Sequence, residues 1–333
     1  MSLYSSEVEN NMRKQVTILV PCYNEEQVLR KFYRETDKVL AALTDYDFYY
    51  LFVNDGSNDN TLAILRELQQ TDDRVAYVSL SRNFGKEPAM LAGMDYADRD
   101  ALIIMDADLQ DPPELIPELL AGWEEGYQDV YAQRRSRAGE GWFKKFSSKL
   151  YYRILDKMSD IPVLVDVGDF RLLDRECILA MRSLREGERY TKGLFSWVGF
   201  RKKAVLYDRD PRAGGETHWN YRKLFGLAID GITSFSTMPL QMSSYMGLVI
   251  SLLSFVYMFV IIFKTLCWGD PVPGYPTLIT VLLFVSGVQL MALGVIGEYL
   301  GKVFKEAKRR PPYLVGEKAG NFTEGLGQEK GGQ

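Results

Sequence analysis

The sequence is poor in cysteine, and its few cysteines are far apart. Cys22, Cys177 and Cys267 form no CxxC or other metal-type pair among the 333 residues. A disulfide framework is therefore not expected, and the three thiols indicate a reduced, cytosolic setting.

An excess of one charge is also lacking. The 40 basic and 44 acidic residues leave a formal net charge of -4, so the overall balance gives no sign of a nucleic-acid partner. The first residues, MSLYSSEVENNMRKQ, lack the charged-then-apolar pattern of a secretory signal. We therefore expect the first domain to stay on the side of the membrane where it is made. The length leaves room for about two structural units.

Charge is missing altogether from two long runs near the carboxyl terminus. Gly231 to Phe263 and Pro271 to Gly297 contain no formal charge, and each exceeds the roughly 20 apolar residues that cross a bilayer core. They predict two transmembrane helices within residues 241–300. The alternative, two buried helices of a soluble core, is less favoured because such helices usually keep a polar stripe.

The charges that flank these runs predict their orientation. The connection CWGDPVPGYP has no basic residue, whereas five basic residues follow the second run: Lys302, Lys305, Lys308, Arg309 and Arg310. Because cytoplasmic flanks collect Lys and Arg, both ends are expected in the cytoplasm. The remainder, VGEKAGNFTEGLGQEKGGQ, is rich in glycine and charge and is predicted to be disordered.

Apolar runs alternate with helical patterns in the part of the chain before the spans. The runs VTILVPC, FYYLFVND, VAYVSL and ALIIMDAD predict strands, with helices near Glu25 to Leu43 and Asp59 to Gln70. This alternation is typical of a parallel sheet covered by helices on both faces. Ligands of such sheets bind outside the carboxyl ends of the strands, where three polar motifs stand: PCYNEE, NDGSND and DADLQD.

The motif DADLQD combines acidic and amide side chains at the end of a strand. Asp106 and Asp108 can direct two carboxylates at one small volume, and Gln110 can add a carbonyl oxygen. Mg²⁺ and Mn²⁺ prefer oxygen ligands and leave places for phosphate oxygens. One interpretation is a metal-diphosphate site, and the other is a solvated acidic turn.

Six motifs taken in order carry a family resemblance: PCYNEE, NDGSND, SRNFGKEPAMLAG, DADLQDPPE, VGDFRLLDR and RAGGETHW. Over about residues 15–310 the sequence resembles the inverting nucleotide-sugar glycosyltransferases of family 2. The two spans narrow the resemblance to polyprenyl-phosphate glycosyltransferases, the group of the bactoprenol glucosyltransferases and dolichyl-phosphate mannose synthases. The resemblance implies an α/β catalytic domain of the GT-A fold, with a Rossmann-like mixed and mainly parallel sheet, followed by two transmembrane helices.

The resemblance assigns residues of the first four motifs to the donor, a nucleotide-diphosphate sugar. The residues implied to bind it are Pro21, Tyr23, Glu25, Asp55, Lys86 and Asp106. Asp106, Asp108 and Gln110 match the metal positions, for Mg²⁺ or Mn²⁺. The usual DDGS of the family begins with Asn54 here, and Asn still donates and accepts hydrogen bonds. A turn or helix-cap role for Asp55 is the alternative.

The resemblance also implies four residues that meet the phosphate of a polyprenyl phosphate acceptor: Arg134, Arg212, Thr217 and His218. The planar fork of Arg suits phosphate because it donates two hydrogen bonds at once. The motif RAGGETHW departs twice from the family pattern RxxGxSK(W/Y), with Thr217 in the Ser position and His218 in the Lys position.

Alternatives to these acceptor residues stay open. The basic run that contains Arg134 also contains Arg135 and Arg137, and such a run is often a solvated face. His218 alternatively packs beside Trp219, in which case Arg222 or Lys223 meets the phosphate.

Asp169, in VGDFRLL, matches an aspartate that the family places near the sugar and the acceptor. Together with Arg134 and Asp108 it completes the implied catalytic set. A prenyl phosphate is already largely a dianion at pH 7, so we expect Asp169 to position groups rather than to abstract a proton. The alternative is a structural salt bridge with Arg171 or Arg175.

These assignments divide the chain into five segments. They are an amino-terminal tail (1–14), a GT-A domain (15–218), a juxtamembrane helical segment (219–240), two transmembrane helices (241–300) and a basic cytoplasmic tail with a disordered end (301–333). Within the second segment, residues 141–158 alternate apolar and basic residues at helical spacing. Such a helix lies on an anionic membrane surface or packs on the sheet.

The expected function is inverting transfer of a hexose to a polyprenyl phosphate at the cytoplasmic face of the inner membrane of a prokaryote. The resemblance favours UDP-glucose as donor and undecaprenyl phosphate as acceptor. GDP-mannose and UDP-N-acetylhexosamine are alternative donors, and a non-catalytic membrane scaffold that keeps the fold is the alternative class. A processive polysaccharide synthase is disfavoured because no QxxRW motif is present. Assembly into a homo-oligomer is left open.

Overall fold

The computed structural model of the protein describes residues 13–135, 167–187, 189–207, 238–268 and 274–322. The chain divides into two compact units. The first contains the described residues between 13 and 207 together with 311–322, and the second contains 238–268 and 274–310.

The first unit is built on one sheet, which has eight strands in the described part of the chain. The strands are β1 (Lys14–Cys22), β2 (Tyr46–Asn54), β3 (Val75–Leu80), β4 (Ala101–Ile104), β5 (Asp129–Arg134), β6 (Val167–Asp174), β7 (Lys202–Tyr207) and β8 (Val315–Ala319). Their order across the sheet is β7-β5-β6-β4-β1-β2-β3-β8. Pairing is parallel except for β6 against β4 and β5, and for β8 against β3. The predicted mixed, mainly parallel sheet is confirmed.

Six α-helices follow or precede these strands in the described part of the first unit. They are α1 (Leu29–Leu40), α2 (Thr61–Thr71), α3 (Lys86–Tyr96), α4 (Ile116–Glu124), α5 (Arg175–Ser183) and α6 (Thr191–Trp197). Every residue of β3 and β4 is buried, as expected for strands covered on both faces. Gly93 brings α3 close to β1, because a Cβ there would lie 2.1 Å from Cδ1 of Leu19.

The first helix begins later than the sequence pattern suggests. It starts at Leu29 rather than near Glu25, because the preceding residues connect two loops. The backbone N–H of Glu25 donates to Oγ1 of Thr61 at 2.9 Å, and that of Glu26 donates to a carboxylate oxygen of Asp59 at 3.2 Å. These N–H groups therefore bond the loop after β1 to the loop after β2, and the helix begins only after them.

The last strand corrects the predicted disorder of the tail for residues 315–322, and the rest of the predicted segment, 323–333, lies outside the described residues. β8 extends the sheet beyond β3, and Oε1 and Oε2 of Glu317 accept bonds from Arg66 at 2.9 and 2.5 Å. The strand ends at Gly320, whose φ of +113° favours glycine and whose Cβ would lie 2.6 Å from Cα of Ala76. Composition alone predicted disorder here, because it contains no information about the open edge of β3, with which this segment pairs. The sheet therefore includes residues beyond the predicted limits of 15–218.

The second unit contains the helices α7 (Met238–Trp268) and α8 (Tyr275–Ala307). In the described residues one segment, Phe284–Ala307, is long and apolar enough to cross a membrane, and a shorter apolar stretch covers Met242–Tyr257. The second helix continues to Ala307, past the predicted limit at residue 300. This extension carries Lys302 and Lys305, so the basic segment begins as helix.

We predict that β8 is needed for a stable catalytic unit. A variant that ends at Arg310 leaves the backbone groups of β3 unpaired at an open edge, which favours aggregation. Its unfolding temperature should fall by at least about 4 °C in thermal unfolding of the detergent-solubilised protein. A variant that ends at Phe322 keeps the strand and is the matched control. Equal unfolding temperatures for the two variants would contradict the prediction.

Candidate active site

A cleft lies at the carboxyl ends of β1 and β4, where the chain order of the strands reverses. From β1 the chain proceeds to β2 and β3 on one side, while β4 pairs with β1 on the other. Ligands of doubly wound sheets bind at such a switch point. The cleft has a volume of about 270 Å³ and is lined by Pro21, Cys22, Tyr23, Glu25, Asp55, Asn83, Gly85, Lys86, Ala89, Asp106, Ala107 and Asp108. All six residues assigned to the donor from the sequence are among them.

The two loops after β1 and β2 are bonded to each other at one side of the cleft. Asn24, with a φ of +57°, donates its N–H to Oγ of Ser57 at 3.0 Å. In return, its Oδ1 accepts the N–H of Asn58 at 2.9 Å. Oε2 of Glu26 accepts the backbone and side-chain N–H groups of Asn60 at 3.0 and 2.9 Å. PCYNEE and NDGSND therefore form one connected wall.

Asp55 binds backbone in the structure, as the alternative drawn from the sequence proposed, and it also lines the cleft. Its two carboxylate oxygens accept the N–H groups of Phe84 at 2.7 Å and Gly85 at 2.8 Å. Burial raises the pKa of Asp55, and these two hydrogen bonds partly offset the rise. Gly56, with a φ of +62°, allows the close approach, because a Cβ there would lie 2.3 Å from the carbonyl carbon of Arg82.

Asn54 has a structural role that explains why an amide is accepted at this position. Its Nδ2 donates to Oγ of Ser79 at 2.9 Å, and its Oδ1 accepts the N–H of Ser57 at 3.2 Å. The side chain is buried, so both the donor and the acceptor end need partners. Asn54 thereby joins β2 to β3 beside the cleft.

Lys86, the first residue of α3, joins the ends of two other strands. Its Nζ lies 2.6 Å from Oδ1 of Asp106, after β4, and 2.7 Å from Oδ2 of Asp169, near the start of β6. Burial alone would lower the pKa of Lys86, but the two carboxylates raise it above the usual value. Because β6 runs antiparallel to β4, Asp169 reaches the edge of the sheet at which β4 ends.

Asp169 keeps one carboxylate oxygen without a hydrogen-bond partner. Its side chain is 10% exposed, and Oδ1 is buried without a hydrogen bond in the described structure. Burial would raise the pKa of Asp169, but Lys86 and then Lys192 hold it below the usual value. Asp169 is therefore ionised and suited to accept a hydrogen bond, which agrees with a positioning role.

The salt bridges considered as alternatives for Asp169 are not formed. Arg171 lies 3.1 Å from Oδ2 of Asp129, and both side chains are fully buried. Arg175 lies 3.0 Å from Oδ1 of Asp98. The sequence did not identify the actual partner, Lys86, because that residue is far from Asp169 along the chain.

Acidic side chains dominate the part of the cleft that lies at the end of β4. Oδ1 of Asp108 accepts the N–H of Gln110 at 3.0 Å, so Asp108 also stabilises the turn after β4. Burial raises the pKa of Glu25, and the nearby charges of Asp108 and Asp106 raise it further. Burial, followed by the charge of Asp106, raises the pKa of Asp111 to about 7. Asp111 was in the quoted motif but was not assigned a role from the sequence.

The predicted metal ligands supply only part of a coordination shell. Among the described residues, no three His, Cys, Asp or Glu side chains are arranged to hold a metal ion together. Mg²⁺, however, is commonly held by one or two carboxylates together with substrate phosphates. The carboxylates of Asp106 and Asp108, which both line the cleft, fit that kind of shared site.

The predicted acceptor residues are only partly described. Arg134 ends β5, and its Nε donates to the hydroxyl of Tyr207 at 3.4 Å. It is not among the residues that line the cleft. Arg212, Thr217, His218 and the predicted helix at 141–158 lie outside the described residues, so their roles stay predictions.

The fold and the cleft define the class of protein: an α/β protein with a cleft at the switch point of a mainly parallel sheet. Residues 17–179 match Glycosyl transferase family 2, and residues 238–303 match the GtrB C-terminal hairpin. The chain belongs to glycosyl transferase family 2. The resemblance based on the six motifs is confirmed.

Three relatives illustrate the similarity over nearly the whole chain. An uncharacterized glycosyltransferase of Synechocystis sp. is 50% identical over 92% of this chain and 96% of its own length. An uncharacterized glycosyltransferase of Bacillus subtilis is 46% identical over 90% of this chain and 93% of its own length. The bactoprenol glucosyl transferase of Shigella phage SfV is 42% identical over 90% of this chain and 97% of its own length.

We predict that Asp55→Asn weakens both stability and donor binding. An amide oxygen can accept only one of the two N–H groups that Asp55 now binds, and its NH₂ group faces the other. The variant should lose about 1–3 kcal/mol in the free energy of unfolding. Binding of the donor nucleotide should weaken because Asn83 and Gly85 lie in the displaced loop. Chemical unfolding and calorimetric titration with UDP measure the two effects.

The control for this prediction is Asp45→Asn, which changes the same chemical group at an exposed position. It should leave both the free energy of unfolding and nucleotide binding unchanged. Equal effects of the two substitutions would show that the bonds to Phe84 and Gly85 do not hold the loop.

Proposed function

We propose that this glycosyltransferase transfers glucose from UDP-glucose to a polyprenyl phosphate, undecaprenyl phosphate, with inversion at the anomeric carbon. The observation that carries the proposal is the pairing of Lys86 with Asp106 and Asp169 in a cleft at the switch point. The acceptor class rests on the relative named a bactoprenol glucosyl transferase and on the match to the GtrB C-terminal hairpin.

The donor nucleotide occupies the cleft at the end of β1 in this proposal. Tyr23 is 44% exposed at this position and offers an aromatic face to the base. Pro21, Glu25 and Asp55 complete the nucleoside site, and Asp55 does so partly through the loop that it holds. Lys86 and Asp106 lie toward the diphosphate and the sugar.

A divalent cation, Mg²⁺ or Mn²⁺, is proposed to be held jointly by Asp106, Asp108 and the donor diphosphate, with Gln110 as a further oxygen ligand. When bound, it would neutralise charge on the leaving diphosphate. Without such compensation, the carboxylates of the cleft would repel the donor. This explains why the site has two carboxylates at the end of β4 beside an anionic substrate.

The transfer needs little proton chemistry. An oxygen of the acceptor phosphate attacks the anomeric carbon from the side opposite the diphosphate. The new carbon–oxygen bond forms as the bond to the diphosphate oxygen breaks, and UDP departs with that electron pair. Because the acceptor is largely a dianion at pH 7, no side chain must abstract a proton. Asp169 uses its unpaired Oδ1 to orient a sugar hydroxyl, and Lys86 fixes the carboxylate.

The acceptor phosphate is proposed to bind Arg134 together with Arg212, Thr217 and His218. Arg134 stands at the end of β5, and its guanidinium group has further N–H donors besides the one that binds Tyr207. The other three residues enter the proposal through the family motif alone.

The membrane arrangement is also part of the proposal. α7 and α8 are taken as two transmembrane helices, with the catalytic unit and both termini in the cytoplasm of a prokaryote. The support is the charge-free stretch of each helix and the basic residues from Lys302 to Arg310. The proposed division is a tail at 1–14, a catalytic domain at 15–218 that is completed by β8, a juxtamembrane segment at 219–240 and the helices.

The proposed function is tested by incubating membranes that contain the protein with a panel of radiolabelled nucleotide sugars. Label from UDP-glucose should pass into the lipid that organic solvent extracts, and chelation of divalent cations should abolish the transfer. Label from GDP-mannose or UDP-N-acetylhexosamine alone would replace the proposed donor. No lipid-linked label from any donor would favour a non-catalytic scaffold.

Asp108→Asn should lower turnover in this assay at least about a hundredfold, because one charged metal ligand is lost from a preformed site. The control is Glu114→Gln, which removes an exposed carboxylate a few residues later in the same segment. Full activity of Asp108→Asn, or activity in the presence of a chelator, would contradict the proposed metal site.

The proposed topology predicts the labelling of introduced cysteines. In a Cys267→Ser background, Gly274→Cys should react with an impermeant thiol reagent added to intact cells, whereas Lys308→Cys should not. Lysed cells show whether the second thiol is reactive at all. The reversed pattern would place the catalytic unit on the other side of the membrane.

A further inference from the structure

Lys192 is an exposed lysine in the first turn of α6. In the described part of the chain, its ammonium group forms neither a hydrogen bond nor an ion pair. The matched family segments cover 17–179 and 238–303, so this lysine lies between them. The sequence analysis did not identify it.

The neighbouring residue fixes the position of Lys192 relative to the active site. Oε2 of Glu87 accepts the backbone N–H of Thr191 at 2.9 Å and also binds its hydroxyl. Glu87 directly follows Lys86, whose Nζ lies 2.7 Å from Oδ2 of Asp169. Two short connections therefore link the start of α6 to Asp169 through the first turn of α3.

The rest of α6 is held firmly by packing. Leu194 and Phe195 are buried, and the guanidinium carbon of Arg171 lies 3.7 Å from the centroid of the Phe195 ring. Arg171 in turn donates to the carbonyl oxygen of Gly168, the residue before Asp169. The helix that carries Lys192 is thus connected to the strand that carries Asp169 directly, through Phe195 and Arg171, and indirectly, through Glu87 and Lys86 of α3.

Among the described residues, the other cations near Asp169 are already paired with carboxylates, whereas Lys192 is not. Lys86 is already shared between two carboxylates, and Arg171 is buried against Asp129. After Lys86, Lys192 is the largest favourable charge that acts on Asp169. A dianionic acceptor that approaches an acidic cleft needs a cation that is not already paired.

We propose that Lys192 binds the phosphate of the lipid acceptor on the side of Asp169 that faces away from the donor cleft. Lys192 is not among the residues that line the donor cleft, which favours the acceptor over the donor diphosphate. The ligand class is a phosphate monoester dianion, for which an unpaired ammonium group is a suitable point charge. This assignment rests on the proposed function and adds a residue to its acceptor site.

The test compares Lys192→Gln, Lys192→Arg and the control Lys31→Gln, which removes an exposed lysine of α1. Each full-length protein is assayed for kcat and for the KM of both substrates. Lys192→Gln should raise the KM of the polyprenyl phosphate roughly ten- to hundredfold, because a charge-assisted contact is lost. The KM of UDP-glucose and the unfolding temperature should stay unchanged. Lys192→Arg should recover most of the loss, and the control should behave as wild type.

Three results would overturn the proposal. One is an unchanged acceptor KM in Lys192→Gln. Another is an equal rise in the KM of UDP-glucose, which would assign the lysine to the donor. The third is a lowered unfolding temperature with equal losses in the Gln and Arg variants, which would assign it to structure.

A binding measurement separates this proposal from the proposed function. Calorimetric titration with farnesyl phosphate, and with farnesol as the control without a phosphate, does not require any transfer. Wild type should bind the phosphate form at least about tenfold more tightly than Lys192→Gln does, with farnesol unaffected. If wild type transfers no sugar but shows this difference, the proposed function fails and the phosphate site stands. Equal binding of farnesyl phosphate by both proteins would refute the site.

Discussion

The active site depends on one ammonium group that holds two carboxylates together. Lys86 begins α3, Asp106 follows β4, and Asp169 lies near the start of β6, so three segments far apart in sequence meet at a single nitrogen. Two carboxylates brought together in a half-buried cleft repel each other unless a cation lies between them. The antiparallel direction of β6 is what delivers Asp169 to this edge of the sheet. The reversed direction of β6 therefore determines that Asp169 can bind Lys86.

The loop that leads to Lys86 is fixed from two directions. Asp55, at the end of β2, binds the N–H groups of Phe84 and Gly85. On the other side, the N–H of Ser81 donates to the carbonyl oxygen of Leu314 at 2.8 Å, immediately before β8 begins. The segment after the second long helix thus supports the loop whose residues Asn83, Gly85 and Lys86 line the cleft. Leu314, more than two hundred positions away, thus contributes to the position of Lys86 through its backbone alone.

The sequence predicted those features that depend on local pattern. Alternating apolar runs identified β1 to β4, and the polar motifs after three of these strands do line one cleft. Contacts between distant segments were not predictable in the same way. Nothing in the motif around Lys86 indicates that it binds Asp169. The tail is rich in glycine and charge, and this composition gave no indication of β8. Asp55 received two roles from its motif, and only the geometry of Phe84 and Gly85 shows that it binds their backbone.

Charge divides the site into two halves with opposite character. On the proposed donor side, Glu25, Asp106 and Asp108 line the cleft. Burial raises the pKa of Glu25 and of the nearby Asp111, and the neighbouring carboxylates raise both further. A nucleotide diphosphate enters such surroundings only with compensating cations. On the proposed acceptor side, Lys192 is a fixed positive charge beside Asp169. In the proposed arrangement, a free phosphate monoester is attracted to one half and repelled by the other. The Asp169–Lys86 pair then marks the boundary between the halves, and the separation of charge would keep the acceptor out of the place proposed for the donor diphosphate.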